Sequence, residues 1–408
     1  MNTKIRLTLM NFLQYAVWGA WLISLGAYLG NTLKFDGLQI GSFFATMGIA
    51  SLFMLAVMGI IADRWIPAQR LLGLCHLFAA GFITLAATRT DYNSLYTLVL
   101  LSVMFYMPTI ALSNSVAYNA LEKAGLDTVT HFPPIRVWGT VGFICAMWVV
   151  DLGKMGLSAT QLYFSATLGL ILGLYSFTLP NCPINRSGGG KSIVDLLGLR
   201  AFALFKQRKM AIFFIFSMLL GMSLQITNAF ADGYIKSFGD TGIHGAKYLG
   251  TFGVEHSTIL ISLSQISETL CILLIPFFLK RFGIKRVMLI AMFAWVLRFA
   301  LLGAGNPGPG VWMFILSMIV YGVAFDFFNI SGSLFVEKET SAAIRSSAQG
   351  VFMIMTNGLG ALIGSYLAGW VVNHYGWPLS WYLFAGFSLV VAIVFAVIFK
   401  YKHDPNRI

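Results

Sequence analysis

Apolar segments of about 20 residues recur along almost the whole chain, each separated from the next by a short polar break. Segments of this length predict membrane spans, and we expect helices because lipid-exposed backbone must satisfy its own hydrogen bonds. A membrane barrel would instead show alternation over about ten residues. Twelve segments are present among the 408 residues, at roughly 7–30, 38–62, 70–89, 92–118, 134–152, 159–180, 209–236, 256–279, 285–304, 310–334, 344–370 and 379–401.

Composition excludes an ordinary soluble domain, because only 10% of the residues are charged and 58% are hydrophobic, whereas a soluble domain carries about 25% charged residues. The net charge of +12 is distributed unevenly. With both termini on one side, that side holds 20 of the 27 Lys and Arg residues and the other side holds 5. The bias predicts cytoplasmic termini and accounts for the positive charge without a nucleic-acid partner.

The longest polar break divides the chain into two sets of six segments. We therefore predict an all-α membrane protein with twelve transmembrane helices in two six-helix bundles, the layout of two related transporter halves. The predicted N-terminal bundle is 1–180, a cytoplasmic linker covers 181–208, and the C-terminal bundle is 209–408.

Three ionisable residues, Glu268, Arg298 and Asp326, lie well inside apolar segments. Such groups cost several kcal/mol at membrane depth, about 2.5–3.5 kcal/mol on insertion scales, and mark functional sites when they occur. Glu268 and Asp326 are candidates for proton binding. For Arg298 we expect a structural partner on a neighbouring helix.

Four spans carry polar or aromatic residues three or four positions apart, which places each group on one helix face. A single polar residue in a span usually bonds to a neighbouring helix, whereas groups in four spans are better explained by a shared aqueous cavity. Pro133 and Pro134 suit the first turn of the fifth span. The candidate residues are Arg136 and Thr140, Gln225 and Asn228, Gln265 and Glu268, and Tyr321 and Phe325 with the adjacent Asp326.

The chemistry of these side chains narrows the ligand to a neutral molecule with hydroxyls and a heterocycle. Carboxamides offer donors and acceptors, the pattern that reads an amide-like base edge, and the rings of Phe143, Tyr321 and Phe325 can stack on a flat ring. Two acids against one arginine disfavour a phosphorylated ligand.

Arg136 and Asp326 form the predicted exchanging pair. Burial and a nearby arginine shift the pKa of a carboxyl group in opposite directions. An ion pair that forms and breaks therefore takes up and releases a proton. Two alternatives stay open, a permanent buried ion pair and an interfacial Arg136 whose head reaches water.

No enzyme is predicted, because the sequence shows no nucleophile–base pair and no cofactor loop. The four cysteines have no metal-ligand spacing. We therefore predict no catalytic residues, no metal site and no cofactor.

Five stretches resemble the bacterial nucleoside:proton symporters, a family of the major facilitator superfamily. Asp63-Arg64 after Gly59 also looks like the loop signature of that superfamily, although Ile66-Pro67 replaces the usual glycine. The five stretches are Phe12–Gly19 (FLQYAVWG), His131–Phe143 (HFPPIRVWGTVGF), Leu224–Asn228 (LQITN), Ser264–Thr269 (SQISET) and Tyr321–Gly332 (YGVAFDFFNISG).

The resemblance implies a proton-coupled nucleoside uptake permease of the bacterial inner membrane that works by alternating access, with a central cavity that binds the nucleoside. It implies nucleoside-binding roles for Arg136, Thr140, Gln225, Asn228, Gln265, Glu268, Tyr321, Phe325 and Asp326. The expected partners are a purine or pyrimidine nucleoside, protons and the lipid bilayer, and the expected state is a monomer. A sugar symporter or a drug exporter of the same fold is the alternative.

Overall fold

The computed structural model describes residues 2–182, 199–241, 246–341 and 344–401. Within these ranges the chain forms helices joined by turns. Most of the predicted linker, residues 183–198, lies outside the described residues. The long helices are α1 (Thr3–Gly19), α2 (Gly37–Arg64), α3 (Ala68–Ala86), α4 (Tyr92–Lys123), α5 (Thr128–Leu152), α6 (Thr160–Ser176), α7 (Arg208–Ser237), α8 (Ser257–Ala304), α9 (Val311–Glu339), α10 (Arg345–Met353), α11 (Ala361–Tyr375) and α12 (Leu379–Ile398).

Short helical segments complete the described chain. Leu25–Ala27 and Phe252–Glu255 are single α-helical turns, and Leu199–Lys206 is a 3₁₀ helix. Tyr28–Thr32 and Ile354–Gly360 are π-helical. The second of these joins α10 to α11 and is called the π segment below.

Nine helical stretches within the described ranges are long and apolar enough to cross a membrane. Two further helices, α1 and α6, have 17 residues each, at the lower limit for a span. The 48 residues of α8 cover the eighth and ninth predicted segments. All-helical architecture is thus confirmed, whereas the count of twelve spans stays a prediction.

The two predicted segments within α8 meet at Gly283, which has φ 75° and ψ 165°. This backbone conformation lies outside the helical region and is accessible mainly to glycine. The helix therefore bends sharply at this residue, which lies between the two predicted apolar segments.

The start of α5 differs from the sequence prediction. Asp127 caps the helix by accepting a hydrogen bond from the Thr130 backbone N–H at 2.8 Å, so the helix begins at Thr128. Pro133 and Pro134 consequently lie inside the helix rather than in its first turn. The prediction failed because an N-cap aspartate competes with proline as a start signal.

Contacts divide the described chain into two compact units, Met1–Phe35 with Thr46–Ser192 and Asp36–Ala45 with Ile193–Ile408. In the first unit α1 packs against α5 and α6, and α3 packs against α4 and α6. A Cβ atom on Gly142 would lie only 2.1 Å from the Phe12 carbonyl oxygen. The backbones of α1 and α5 therefore touch, as small residues allow in membrane helix pairs.

In the second unit α8 packs against α9 and α12, and α7 packs against α11 and the π segment. A Cβ atom on Gly221 of α7 would lie 2.2 Å from the Thr356 carbonyl oxygen. This glycine brings the π segment into direct backbone contact with α7. The arrangement fixes which side chains of the π segment face α7.

Candidate nucleoside site

Arg136 of α5 lies over the ring of Tyr15 in the first unit, with the guanidinium carbon 3.9 Å from the ring centroid. A cation at this distance is attracted to the ring face. Gly139 leaves room for the stack, because a Cβ atom there would be 2.6 Å from Tyr15 Cδ2 and 2.8 Å from Arg136 Nη1. Arg136 is half-buried and is held against α1, and Thr140 lies one turn further on, also half-buried.

Phe143 continues the face of Arg136 and Thr140 and is buried. Its ring meets Trp18 edge to face at a centroid distance of 6.3 Å, and Trp18 in turn contacts Tyr106 at 5.8 Å. From the sequence, Phe143 is expected to stack on a ligand ring. In the structure the ring belongs to an aromatic cluster that joins α5, α1 and α4.

A buried polar network that the sequence analysis missed lies beside this cluster. Gln14 accepts a hydrogen bond from His76 Nε2 at 2.8 Å and donates one to Thr109 Oγ1 at 2.7 Å. The Tyr106 hydroxyl donates to the Gln14 carbonyl oxygen at 2.7 Å. Because Gln14 precedes Tyr15, the network fixes the part of α1 on which Arg136 rests. Its members, Gln14, His76 and Thr109, lie in three different apolar segments of the sequence.

In the second unit, α7 carries Gln225 and Asn228. Gln225 is buried, and its Oε1 atom has no hydrogen-bond partner among the described residues. Asn228, three residues on, is half-buried. An acceptor that is buried without a partner carries a desolvation penalty of about 1–3 kcal/mol, which a ligand donor would remove.

The rings of Tyr321 and Phe325 on α9 are parallel, with an interplanar angle of 7° and a centroid distance of 5.7 Å. The side chain of Gln265 on α8 lies close to the Tyr321 hydroxyl. The parallel ring pair of α9 and the carboxamide of Gln265 on α8 thus lie next to each other.

The two acids are neighbours. Asp326 is buried, and its Oδ2 atom has no hydrogen-bond partner among the described residues. Glu268 is half-buried and lies close enough to interact electrostatically with both Asp326 and Tyr321. The structure therefore brings Gln265, Glu268, Tyr321 and Asp326 into one cluster within the second unit.

Arg298 is buried beside this cluster and is bonded to the neighbouring helix. Its Nη1 atom donates to the Ser317 carbonyl oxygen at 2.6 Å, and the guanidinium lies over the Tyr321 ring at 4.7 Å. Ser317 returns a hydrogen bond to the Arg298 carbonyl oxygen at 3.0 Å. Arg298 thus joins α8 to α9 and packs against the face of the Tyr321 ring. The predicted pairing of Arg136 with Asp326 links residues of different units and stays a prediction.

A family model described as "Nucleoside H+ symporter" matches residues 1–404. The chain belongs to this family. Membership confirms the resemblance inferred from the five sequence stretches, and it confirms that the protein is a transporter rather than an enzyme.

Relatives and a solved structure agree with this assignment. The nucleoside permease NupG of Escherichia coli strain K12 is 50% identical over 410 residues, covering 99% of this chain and 97% of that protein. The xanthosine permease of the same organism is 49% identical over 415 residues, covering 100% and 98%. A crystal structure of the nucleoside transporter NupG matches with a TM-score of 0.91 at 51% identity, covering 98% of this chain and 100% of that chain. The major facilitator fold of this multi-pass membrane protein is therefore confirmed.

Proposed function

We propose that this symporter takes up nucleosides together with protons, using the nine residues predicted from the sequence. The observation that carries the proposal is the cluster in the second unit, where Gln265, Tyr321 and Phe325 adjoin two carboxyl groups. Family membership supports the substrate class. The relatives' names support it as well, since they are a nucleoside permease and a xanthosine permease.

Recognition follows from the chemistry of the cluster. A nucleobase is flat and stacks on the parallel rings of Tyr321 and Phe325. Its edge offers donors and acceptors that match the carboxamides of Gln225, Asn228 and Gln265. Carboxylates accept hydrogen bonds from the ribose hydroxyls, which leaves phosphorylated nucleosides disfavoured by charge repulsion.

Proton coupling is assigned to Asp326 and Glu268, with Arg136 as the cation that exchanges with Asp326. In this mechanism a proton on the carboxyl group releases Arg136, and the nucleoside then loads. Loss of the proton and of the nucleoside on the other side of the membrane restores the pair. The unpartnered Oδ2 atom of the buried Asp326 supports this role, because it is available to a proton or to a cation.

The membrane arrangement is part of the proposal. The 20-to-5 distribution of Lys and Arg supports cytoplasmic termini, and the relatives from Escherichia coli support the bacterial inner membrane. We propose that a monomer in the bilayer alternates access by movement of two six-helix halves, 1–180 and 209–408, joined by the linker 181–208.

Uptake of labelled uridine and adenosine in a bacterial strain that lacks nucleoside transport tests the function. Expression of the chain is expected to restore uptake and to make the external medium more alkaline as substrate enters. Excess unlabelled uridine should compete, whereas lactose should not. Competition by lactose alone would indicate the sugar symporter alternative, and uptake without proton movement would overturn the coupling.

A further inference from the structure

A small recess lies beside Phe325 in the second unit and is formed by α7, α8, α9 and the π segment. It has room for about one water molecule. None of the nine site residues except Phe325 lines it. The lining residues are Leu220, Gly221, Leu224, Trp295, Ala324, Phe325, Phe328, Asn329, Thr356 and Asn357.

Two carboxamides face this recess with unused hydrogen-bonding capacity. Asn329 lies one helical turn beyond Phe325 on α9, and its side chain makes no hydrogen bond to another residue in the described part of the chain. Asn357 makes only a long contact, with Nδ2 3.8 Å from the Met353 sulfur. Each carboxamide supplies two donors and an acceptor. Together they form a polar edge next to an aromatic ring.

The π segment accounts for the position of Asn357. A π turn shifts the side chains that follow it relative to a regular helix, and such turns occur frequently at functional sites. Contact between Gly221 and the Thr356 carbonyl oxygen fixes the segment against α7. Asn357 is thereby held at the recess that Asn329 also lines.

Along α9, Tyr321, Phe325 and Asn329 follow one another at intervals of four residues and therefore share a face. A base that stacks on Phe325 places its edge at Asn329 and the recess. Carboxamides form paired hydrogen bonds with the N6 and N7 atoms of adenine. Pyrimidines lack the five-membered ring that carries N7, so this edge distinguishes the two classes.

We propose that Asn357 and Asn329 form a subsite that reads the N7 edge of purine nucleosides and sets the preference between purines and pyrimidines. The inference rests on the proposed function, because it assumes that a nucleoside stacks on Phe325. The base edge meets the carboxamides directly or through the water that the recess accommodates.

Initial-rate uptake of adenosine, 7-deazaadenosine and uridine tests the subsite. In 7-deazaadenosine a C–H replaces N7 and removes one hydrogen bond while the shape is kept. The wild-type KM is expected to be about threefold to tenfold higher for 7-deazaadenosine than for adenosine. Asn357→Leu and Asn329→Leu should each reduce this difference to less than about twofold, with the KM of uridine unchanged within about the same factor.

Asn119→Leu is the matched control, because Asn119 is a partly buried carboxamide of the first unit that bonds within its own helix. It should keep the full difference between adenosine and 7-deazaadenosine. Membrane expression and uridine uptake show that each variant folds. An unchanged ratio in both Asn357→Leu and Asn329→Leu would overturn the subsite, as would an equal loss for uridine and adenosine. A wild-type chain that transports no nucleoside would overturn the proposed function instead.

Discussion

Asp326 combines three properties: its side chain is buried, it is ionisable, and one of its oxygen atoms accepts no hydrogen bond from the described residues. Its side chain is buried in α9, its Oδ2 atom lacks a partner among the described residues, and Glu268 is nearby. A group in this position gains from binding a proton or a cation and is therefore suited to a cycle in which the two alternate.

Asp326→Asn is expected to abolish concentrative uptake while leaving exchange of internal for external nucleoside. The amide keeps the size and a hydrogen-bonding capacity but cannot carry the proton. Counterflow and accumulation of labelled uridine in vesicles measure the two activities. Glu337→Gln, an exposed carboxylate on the same helix, should accumulate normally. Normal accumulation by Asp326→Asn would remove Asp326 from the coupling step.

Asp232 is another buried acid of the second unit and lies outside the nine candidate residues. Asp232 is buried, pairs with Lys236 at 2.6 Å and accepts a hydrogen bond from the Ser257 hydroxyl at 2.5 Å. Asp232→Asn leaves the Lys236 charge with little compensation, so we expect a loss of about 3 kcal/mol in the free energy of unfolding.

The more exposed pair Lys209–Glu339 provides the control, with side-chain exposures of 39% and 27%. Glu339→Gln should cost less than about 1 kcal/mol, because solvent screens such pairs. Thermal unfolding in detergent compares the two variants. Equal shifts in Tm would contradict the expected difference between a buried and an exposed ion pair.

At the scale of helices, glycine contacts determine how closely α7 approaches the π segment. Gly221→Ala places a methyl group where a backbone oxygen lies 2.2 Å from the ideal Cβ position, and overpacking of this kind costs about 1–3 kcal/mol. Alanine also has a higher helix propensity than glycine, by about 1 kcal/mol. This gain is smaller than most of the overpacking cost. A lower Tm and reduced uptake are therefore expected.

Gly386→Ala on α12 is the comparison for this helix contact, because nothing lies within 4 Å of a Cβ atom there. The propensity gain should make this variant as stable as the wild type or more stable. Opposite signs of the two Tm shifts, measured under the same detergent conditions, check the prediction. A stabilised Gly221→Ala variant would show that α7 and the π segment separate without cost.

The helices were predictable from the sequence, because a 20-residue apolar segment in lipid has few alternatives to a helix. The π segment was not, since the pattern of apolar residues does not distinguish a π turn from a regular one. The Gln14–His76–Thr109 network was not predictable either. Those residues meet only through the rotation and packing of three helices, which single segments do not encode. The grouping of Gln265 with Tyr321 depends on the same packing.

At the scale of the whole molecule, the proposed proton coupling would draw the energy for accumulation from the membrane potential. One proton that crosses about 100 mV supplies about 2.3 kcal/mol, and about 1.4 kcal/mol corresponds to a tenfold ratio. Each coupled proton therefore supports a nucleoside concentration ratio of roughly 50 per 100 mV in the absence of a pH gradient.

Vesicles held at a series of potassium diffusion potentials test this relation. The logarithm of the limiting uridine ratio is expected to rise linearly with potential, and its slope counts the protons carried per nucleoside. A protonophore combined with zero potential should reduce the ratio to one. A ratio that is independent of potential would show that uptake is not driven by proton entry.

Two helices of the first unit differ in length, and neither length equals the thickness of a bilayer's hydrocarbon core. The 32 residues of α4 extend about 48 Å and the 17 residues of α6 about 26 Å, whereas the hydrocarbon core of a bilayer is about 30 Å thick. Because neither length equals that thickness, we expect α4 to tilt or to extend beyond the hydrocarbon core and the bilayer beside α6 to be locally thinner. Acyl-chain length in reconstituted vesicles is thus a variable to which this carrier should respond.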